Sequence, residues 1–186
     1  MKTLSIIESS IPEVKVIKRN PILDDRGFFE RLFCRQELED ILGDRQVLQI
    51  NRTLTKTKGA IRGLHFQHSP SAEVKLVSCT HGTIFDVAVD VRMGSPTFMQ
   101  WHGEILSAKN ARSLYVPEGF AHGFQALTNT CELIYLHTSP YASHLEDGIN
   151  AFDPKLSIEW PHEITQMSNR DLGLKKIDKD FKGVVL

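Results

Sequence analysis

The stretch 59–67 places ionisable side chains and glycines in a segment that otherwise has the composition of a β-strand. It reads GAIRGLHFQ. Because the side chains of a strand alternate between its two faces, regular alternation predicts Gly63 and His65 on one face and Arg62 on the other. A glycine between bulky residues indicates that another group approaches the backbone closely at Gly63. His65 is then either a buried structural histidine, with Arg62 in a surface ion pair, or a general base.

Other short apolar segments also carry polar or aromatic side chains. Inside a small β domain such groups cost free energy unless they contact a ligand or one another. Taken singly, each is an ordinary surface or hydrogen-bonded core residue, but many of them in one domain indicate a binding or catalytic site. The candidates besides His65 are Gln49, Asn51, Gln67, Lys75, His122 and Tyr135.

A histidine base requires an acceptor that orients its second ring nitrogen. Asp171, in SNRDLG, is the candidate if the C-terminal segment folds back over the other elements. Tyr135 and Tyr141 offer phenols that can deliver a proton. Several cationic or donor groups accompany them, which indicates an anionic ligand such as a phosphate or pyrophosphate. These groups are Arg26, Arg62, Lys75, His122 and Arg170.

A metal site is the first alternative to acid–base chemistry. In a jelly roll it usually needs two histidines at i and i+2, a nearby carboxylate and a distant histidine. Here the i+2 partner of His65 is Gln67, and no carboxylate follows until Glu73. His122 is distant enough, but imidazoles without a carboxylate make a poor site. We therefore expect no functional metal.

Composition restricts the classes of function. The chain has 186 residues, enough for one domain with a full core, and a formal net charge of −1 with histidines neutral. The chain has no excess of basic residues that would indicate nucleic-acid binding. It also has no apolar run that approaches the ~20 residues of a membrane span. Glu8 and Glu13 interrupt the N-terminal apolar patch too early for a signal peptide. Three widely spaced cysteines without a CxxC pair favour free thiols in a reducing cytoplasm.

Short apolar or alternating runs separated by turn residues follow one another from Gln46 onward, which is typical of an all-β sandwich or barrel. No strand–helix–strand alternation occurs, so a parallel sheet is not expected. The predicted strands read QVLQINRTL, AIRGLHFQ, EVKLVSCT, TIFDVAVDV, HGEILS, SLYV, FQALT and ELIYLHT. The lumen of a jelly roll of this size holds one small ligand.

The flanking segments are less regular. The N-terminal part is predicted to contain a first strand at Val14–Lys18, a turn-rich loop at Pro21–Gly27 and a strand at Phe28–Phe33. Gln36–Leu42 has the apolar spacing of a helix and ends before Gly43, a common C-terminal stop. Residues 168–186 are predicted to form a partly helical or irregular tail, which must fold back over the barrel if it contributes to the site.

With these residues assembled, the chain resembles the dTDP-4-dehydrorhamnose 3,5-epimerase family, the RmlC-like epimerases of nucleotide sugars. The resemblance covers about the first 170 residues. It rests on DDRGFF (24–29), QIN (49–51), GAIRGLHFQ (59–67), KLVSC (75–79), GTIFDVAVDVRMGSPTF (82–98), VPEGFAHGF (116–124), LIYLHTSPY (133–141), and DP with SIEWP (153–161). Several of these motifs are long and rich in charged or glycine positions, which makes them specific for the family.

The resemblance implies an all-β, cupin-type jelly-roll barrel with short peripheral helices, formed by one domain over residues 1–186 with a core at about 45–140. It implies a homodimer that needs no metal or organic cofactor and binds a nucleotide sugar. The implied reaction is 3,5-epimerisation of dTDP-4-dehydro-6-deoxy-glucose. A proton is removed next to the C4 ketone and returned from the opposite face. The implied pathway is dTDP-rhamnose or other deoxysugar synthesis for cell-surface polysaccharide such as O-antigen.

The matching positions imply roles for individual residues. His65 resembles the proton-abstracting base, with Asp171 as its carboxylate. Tyr135 resembles the proton donor on the opposite face of the sugar, and Lys75 the group beside the C4 carbonyl oxygen. Tyr141 resembles the aromatic residue that stacks on the nucleotide base. The other positions that match ligand contacts are Arg26, Gln49, Asn51, Arg62, His122, Glu146 and Arg170.

Several positions depart from the usual pattern of the family. Arg31 stands where a glutamate is common, with Glu30 one residue earlier, and a one-residue step in a strand reverses the face. Ile50 replaces a residue that is often acidic, AEVK (72–75) replaces AQGK, and Arg170 replaces a lysine. These changes are expected around the nucleotide and its phosphates. The reaction class is therefore expected to hold, while a 3- or 5-only epimerase of a CDP- or GDP-linked sugar stays open.

Two other classes also stay open. One is a metal-dependent jelly-roll oxygenase or isomerase, which elemental analysis after chelation tests. The other is a non-catalytic sugar-binding module, which would bind a nucleotide sugar without isotope exchange. Binding alone requires neither His65 nor Tyr135.

Overall fold

The computed structural model describes residues 2–186, in which nearly all regular structure is β. The elements in chain order are β1 Leu4–Glu8, β2 Lys15–Arg19, β3 Ile22–Asp24, β4 Gly27–Phe29, α1 Glu39–Leu42, β5 Gln49–Thr55, β6 Ile61–Gln67, β7 Lys75–His81, β8 Thr83–Asp90, β9 Trp101–Ser107, β10 Arg112–Val116, β11 Phe120–Ala126, β12 Cys131–His137, β13 Glu146–Gly148 and α2 Asn169–Leu172.

Two antiparallel sheets face each other around the main core. Sheet I has the order β1-β2-β10-β7-β12-β5, and sheet II has the order β13-β6-β11-β8-β9. The inward apolar positions of both sheets pack together because every second side chain of each strand faces the other sheet. Representative members are Val77, Leu114 and Leu133 from sheet I and Ile84, Leu106 and Phe124 from sheet II. The predicted all-β, cupin-type jelly roll is confirmed.

The outer faces of the sheets are covered by different parts of the chain. Leu38 and Leu42, at the two ends of the short helix α1, pack on the outside of sheet I. Gly43 ends that helix as predicted, with its N–H donating to the Glu39 carbonyl. The C-terminal segment covers sheet II through side chains such as Ile177 and Val184. This covering confirms that the tail packs on the barrel.

The N-terminal boundaries predicted from sequence are wrong in three respects. Val14–Lys18 is not the first strand, because β1 precedes β2; β1 buries only Leu4 and so gives little alternation to read. Pro21–Gly27 is not simply a loop, and Phe28–Phe33 is not a strand over its length. Instead β3 and β4 form a two-stranded hairpin whose residues are all exposed, so no burial pattern marks it.

Three other elements differ from expectation. The helix occupies only the second half of the predicted Gln36–Leu42, and residues 35–38 form turns. Strand β11 begins four residues before the predicted FQALT, at Phe120. Strand β13, with the polar sequence EDG, was not predicted because it pairs only with β6, at the edge of sheet II. Within residues 2–186, no helix has the length and apolar character needed to span a bilayer.

Candidate active site

A cavity of about 730 Å³ opens between the two sheets. This volume lies in the range of ligand-binding pockets, roughly 300–1,000 Å³. All but one of the site residues predicted from sequence line it. They are Gln49, Asn51, Arg62, His65, Gln67, Lys75, His122, Tyr135, Tyr141, Glu146, Arg170 and Asp171.

His65 is paired with a carboxylate from the C-terminal tail. Ser168 caps α2 by accepting the backbone N–H of Asp171 at 3.0 Å, and this places the Asp171 carboxylate 2.7 Å from His65 Nε2. The Gly63 N–H donates to the second carboxylate oxygen at 3.4 Å. Burial alone would raise the pKa of Asp171, but the hydrogen bond and charge of His65, with the Gly63 and Ser168 contacts, lower it below its usual value. Asp171 is therefore an ionised partner, and Nδ1 is left as the basic nitrogen of His65.

A β-bulge brings Arg62 to the same cavity as His65. Register partners across β6 and β11 are His65 with His122 and Arg62 with Phe124, so a three-residue step on β6 faces a two-residue step on β11. The extra residue reverses the alternation. The prediction that Arg62 lies on the opposite face is therefore wrong.

The predicted close approach at Gly63 is confirmed and lies within this bulge. Gly63 has φ +113°, and a Cβ there would lie 2.6 Å from the His122 carbonyl oxygen. A residue with a side chain would have to push β6 away from β11. The glycine thus allows the spacing that puts two polar side chains of β6 into the cavity.

His122 forms a second histidine–carboxylate pair with different electrostatics. Its Nε2 lies 2.8 Å from Asp86 Oδ1. Asp86 is completely buried, and its other oxygen has no hydrogen-bond partner among residues 2–186. Burial outweighs the charge of His122 and raises the pKa of Asp86 above its usual value. This pair therefore lacks a well-stabilised negative charge.

The facing wall of the cavity, on sheet I, carries a phenol and an ammonium group. Tyr135 lies opposite Asn51 in the ladder between β12 and β5. Burial raises the pKa of Tyr135 well above its usual value, so the phenol stays protonated and is a donor. The Tyr135 and His122 ring centroids are 6.1 Å apart. Lys75 Nζ donates to the His65 carbonyl at 3.2 Å, which connects the two walls.

A polar cluster surrounds the cavity near Tyr141. The Tyr141 hydroxyl donates to Glu146 at 2.6 Å, and Arg170 pairs with the same carboxylate at 2.7 Å. The Tyr141 backbone N–H donates to the side-chain oxygen of Gln49 at 3.1 Å. Tyr141 as a whole residue remains 56% exposed, so its ring is accessible to a ligand.

Arg26 is the predicted site residue that the chain does not bring to the cavity. It lies at the turn of the β3–β4 hairpin with its side chain 90% exposed and paired with Asp24 at 2.6 Å. Two positions that depart from the family pattern also lie elsewhere. Arg31 pairs with Glu37 at 2.6 Å, and Ile50 is 65% exposed.

Sequence reasoning missed several polar residues at or behind the cavity wall, three of which belong to histidine–carboxylate pairs. Glu73 and His137 line the cavity, and Asp86 supports His122 from behind. Alternation provides a signal for two of them, because His137 lies two residues after Tyr135 and Glu73 two residues before Lys75. Among residues 2–186, no three His, Cys, Asp or Glu side chains are placed to share a metal ion.

A jelly roll with a histidine–carboxylate pair facing a phenol across a ligand-sized cavity has the construction of an enzyme that moves protons by acid–base catalysis, such as an isomerase. The comparisons with known proteins narrow this class. The chain belongs to the dTDP-4-dehydrorhamnose 3,5-epimerase family, whose sequence profile matches residues 8–179.

Relatives and solved structures agree over nearly the whole chain. The dTDP-4-dehydrorhamnose 3,5-epimerase of Shigella flexneri is 40% identical over 179 residues, covering 96% of this chain and 99% of the relative. The epimerase of Legionella pneumophila, solved with dTDP-4-keto-L-rhamnose, superposes with a TM-score of 0.91 at 40% identity, covering 98% and 99% of the two chains. A 3′-monoepimerase from Streptomyces bikiniensis, solved with dTDP-quinovose, superposes with a TM-score of 0.84 at 32% identity, covering 91% and 86%.

Proposed function

We propose that this chain epimerises dTDP-4-dehydro-6-deoxy-glucose at C3 and C5 without a cofactor. The observation that carries the proposal is the arrangement of the cavity: the His65–Asp171 pair lies on one wall, and Tyr135 and Lys75 lie on the facing sheet. Epimerisation needs a base on one face of a carbon and an acid on the other. The family membership of the chain supports the same reaction.

The first step is removal of the proton on a carbon next to the C4 ketone. His65 takes this proton on Nδ1, and the electrons of the C–H bond move onto the C4 oxygen to give an enolate. The ionised Asp171, 2.7 Å from Nε2, stabilises the imidazolium that forms. General base help of this kind contributes roughly 10²–10⁴-fold in rate.

Lys75 stabilises the enolate oxygen. An ammonium group held in a cavity is a preorganised donor, and one such donor contributes typically ~3 kcal/mol to the transition state. The enolate then takes a proton from the Tyr135 hydroxyl on the opposite face, which inverts the configuration. Proton exchange with water returns Tyr135 and His65 to their starting forms. The same cycle acts at the second carbon.

The cluster around Tyr141 provides the nucleotide end of the site. Its exposed ring is suited to stack on the base, while Arg62 and Arg170 supply positive groups for the diphosphate. His122, the ladder neighbour of His65, is a donor group at the sugar end instead. Gln49, Asn51 and Glu146 offer hydrogen bonds for the sugars. Glu146 also holds both Tyr141 and Arg170, so the aromatic and cationic groups are positioned together.

A second candidate is epimerisation at one carbon only. The superposition on the 3′-monoepimerase from Streptomyces bikiniensis shows that this fold is also found in a protein with that activity. A CDP- or GDP-linked sugar is the corresponding alternative for the nucleotide. The position of deuterium in the product distinguishes one-carbon from two-carbon epimerisation.

The deciding experiment incubates the purified chain with dTDP-, CDP- and GDP-linked 4-keto-6-deoxy sugars in heavy water. The proposal predicts deuterium at C3 and C5 of the dTDP sugar, with inverted configuration at both carbons, and no exchange with His65→Ala. Binding without exchange would show a sugar-binding module instead. Exchange at a near wild-type rate in His65→Ala would remove His65 from the mechanism.

We also propose that the active form is a homodimer in which Arg26 acts from the partner. The β3–β4 hairpin exposes several apolar side chains, and such patches mark protein–protein contacts. They are Ile22, Leu23, Phe28 and Phe29, each between 56% and 77% exposed. A second copy that covers this hairpin would bury the patch. The Arg26 side chain would then lie toward the cavity of that second copy.

Complementation tests the dimer. Co-expression of Arg26→Ala and His65→Ala chains with different tags gives mixed dimers that hold one intact site if Arg26 acts across the interface. About a quarter of wild-type activity then returns in the statistical mixture. If each homodimer is inactive and the mixture recovers no activity, Arg26 acts in the site of its own chain. A monomer in light scattering would contradict the proposed homodimer.

Two further proposals concern organisation and location. We propose that residues 1–186 form a single domain, which is supported by β1 and β2 pairing into sheet I and by the tail packing on sheet II. We propose a cytoplasmic location, which is supported by the free thiols of Cys34, Cys79 and Cys131.

A further inference from the structure

Lys75 is held by two contacts that leave one donor free. Its Nζ donates to the His65 carbonyl at 3.2 Å and lies 3.3 Å from Glu73 Oε1. An ammonium group has three N–H bonds, so one remains for a ligand in the cavity. Without Glu73, the flexible stem of Lys75 would have only one neighbouring acceptor to orient it.

The same carboxylate holds a second cavity residue. Glu73 Oε2 lies 2.7 Å from His137 Nδ1, and His137 Nε2 lies 3.3 Å from the amide nitrogen of Asn51. An amide nitrogen only donates, so Nε2 must be the acceptor and Nδ1 must carry the proton that is donated to Glu73. Asn51 then keeps its side-chain oxygen and one N–H for a ligand.

The charge state of Glu73 fits this arrangement. Burial alone would raise its pKa, but the hydrogen bond from His137 and the charge of Lys75 lower it below the usual value. Glu73 is therefore an ionised acceptor for both neighbours. The resulting chain of contacts crosses three adjacent strands of sheet I, from Lys75 on β7 through His137 on β12 to Asn51 on β5.

We propose that Glu73 and His137 are positioning residues of this cavity. Glu73 directs the free N–H of Lys75 at the ligand, and His137 sets the side-chain amide of Asn51 in one orientation. The inference rests on the proposed function, in which Lys75 faces the C4 oxygen. It goes beyond the family pattern, because that pattern often has an uncharged glutamine at the position of Glu73.

The contact of Glu73 with Lys75 and the contact of His137 with Asn51 are the two arms of this arrangement, and they predict different kinetic effects. Glu73→Gln keeps the size of the side chain and removes its charge. Because the N–H of Lys75 acts on charge that forms in the transition state, kcat for solvent-deuterium exchange should fall ~10-fold while KM stays within about twofold. Wild-type kcat in Glu73→Gln would overturn the arm through Lys75.

His137 is tested by two substitutions that each keep one end of the imidazole. His137→Asn retains a donor near Nδ1 for Glu73 and loses the acceptor for Asn51, whereas His137→Gln retains an acceptor near Nε2. Loss of one hydrogen bond to the ligand should raise KM ~10-fold in His137→Asn, and His137→Gln should restore it. Equal KM values in the two variants would overturn the arm through Asn51.

A matched control is the surface pair of His68 and Asp147. The two side chains are 3.3 Å apart and 42% and 59% exposed, and neither lines the cavity. His68→Gln should leave kcat and KM unchanged. A general effect of losing any histidine–carboxylate pair would instead appear in this control and would count against a positioning role.

The outcomes separate the inference from the proposed function. If the wild type is active and the variants keep its kcat and KM, the inference is overturned while the proposed function stands. If the wild type exchanges deuterium with none of the three sugars, the epimerase function fails. The inference is then decided by crystal structures of Glu73→Gln and His137→Asn, which must show a displaced Lys75 Nζ or a turned Asn51 amide. Unmoved side chains in both structures would overturn it.

Discussion

Two histidine–carboxylate pairs lie side by side on sheet II, yet their carboxylates have opposite electrostatic properties. His65 and His122 are direct neighbours in the ladder between β6 and β11. Asp171 has its pKa lowered, whereas burial raises the pKa of Asp86. The histidine itself is therefore not what distinguishes the two pairs.

The difference comes from burial, which raises the pKa of Asp86, and from what else each carboxylate contacts. Asp171 accepts the Gly63 N–H besides contacting His65. Asp86 has one oxygen with no partner within residues 2–186. An ionised carboxylate stabilises an imidazolium, which a general base must become. The first pair is thus built to move a proton, and the second fits a histidine that is held in place to contact the ligand.

Among the substitutions that test the difference between the two pairs, Asp171→Asn is expected to have the largest effect. The substitution keeps the size of the side chain but removes the charge that stabilises the imidazolium of His65, so solvent-deuterium exchange should slow by roughly 10²–10⁴-fold. Single-turnover exchange followed by mass spectrometry measures this. Asp147→Asn, in the exposed His68 pair, is the control, and a loss below tenfold in Asp171→Asn would contradict the assignment.

Tyr135→Phe separates proton removal from proton return. The base on the other wall is untouched, so deuterium exchange should continue, while the yield of inverted product should fall roughly 10²–10⁴-fold because the acid is missing. Proton NMR of the sugar in heavy water reads both quantities in one sample. An unchanged yield of epimer would remove Tyr135 from the mechanism.

The protonation of Tyr135 also predicts the behaviour at high pH. Burial raises its pKa well above the usual 10.0, so the phenol stays protonated as the pH rises to that value. The ratio of inversion to exchange should therefore be constant between roughly pH 7 and pH 10. A ratio that falls by half below pH 10 would show that the phenol ionises in this range.

The smallest effects are expected from Asp86→Asn. This carboxyl has its folded-state pKa raised, so its charge opposes folding above its unfolded pKa, and removing the charge should not lower the melting temperature at pH 7. Asp171 has its pKa lowered, so its contribution is present above the unfolded pKa and is lost only as the pH falls through the folded pKa. At pH 7, Asp171→Asn should therefore lower the melting temperature.

Calorimetry and exchange rates on the same two variants check this contrast. The exchange rate of Asp86→Asn should stay within about tenfold of wild type, since that carboxylate only holds His122. A fall in melting temperature for Asp86→Asn as large as that for Asp171→Asn would show that the two carboxylates do not differ in how well their charge is stabilised.

Periodicity in the sequence predicts the barrel well and the site only in part. Apolar and alternating runs identified β6 to β8, which are mostly buried, and also β5, although Thr55 is the only buried residue of that strand. Alternation misplaced Arg62, since a bulge of one residue reverses the faces and leaves no mark in the pattern except Gly63. It gave no sign of the β3–β4 hairpin, because side chains that are exposed on both faces of a strand leave no alternation to read.

Contacts between residues that are distant in the chain could not be predicted from the spacing of residues in the sequence. Asp171 is 106 residues from His65, and its candidacy rested on the need for an orienting carboxylate and on the family resemblance. His137 and Glu73 were within reach of alternation, as each lies two residues from a predicted site residue. They were missed because neither belongs to the positions that the family pattern assigns to ligand contacts.

The most direct test is a crystal structure of Tyr135→Phe with the dTDP-linked 4-keto sugar bound. We expect His65 Nδ1 within ~3.5 Å of C3 or C5 on one face of the sugar ring. The phenyl ring introduced at position 135 should lie on the other face, with Lys75 Nζ beside the C4 oxygen. A sugar carbon nearer to His122 than to His65, or the imidazole and the phenyl ring on the same face of the sugar, would contradict the proposed path of the proton.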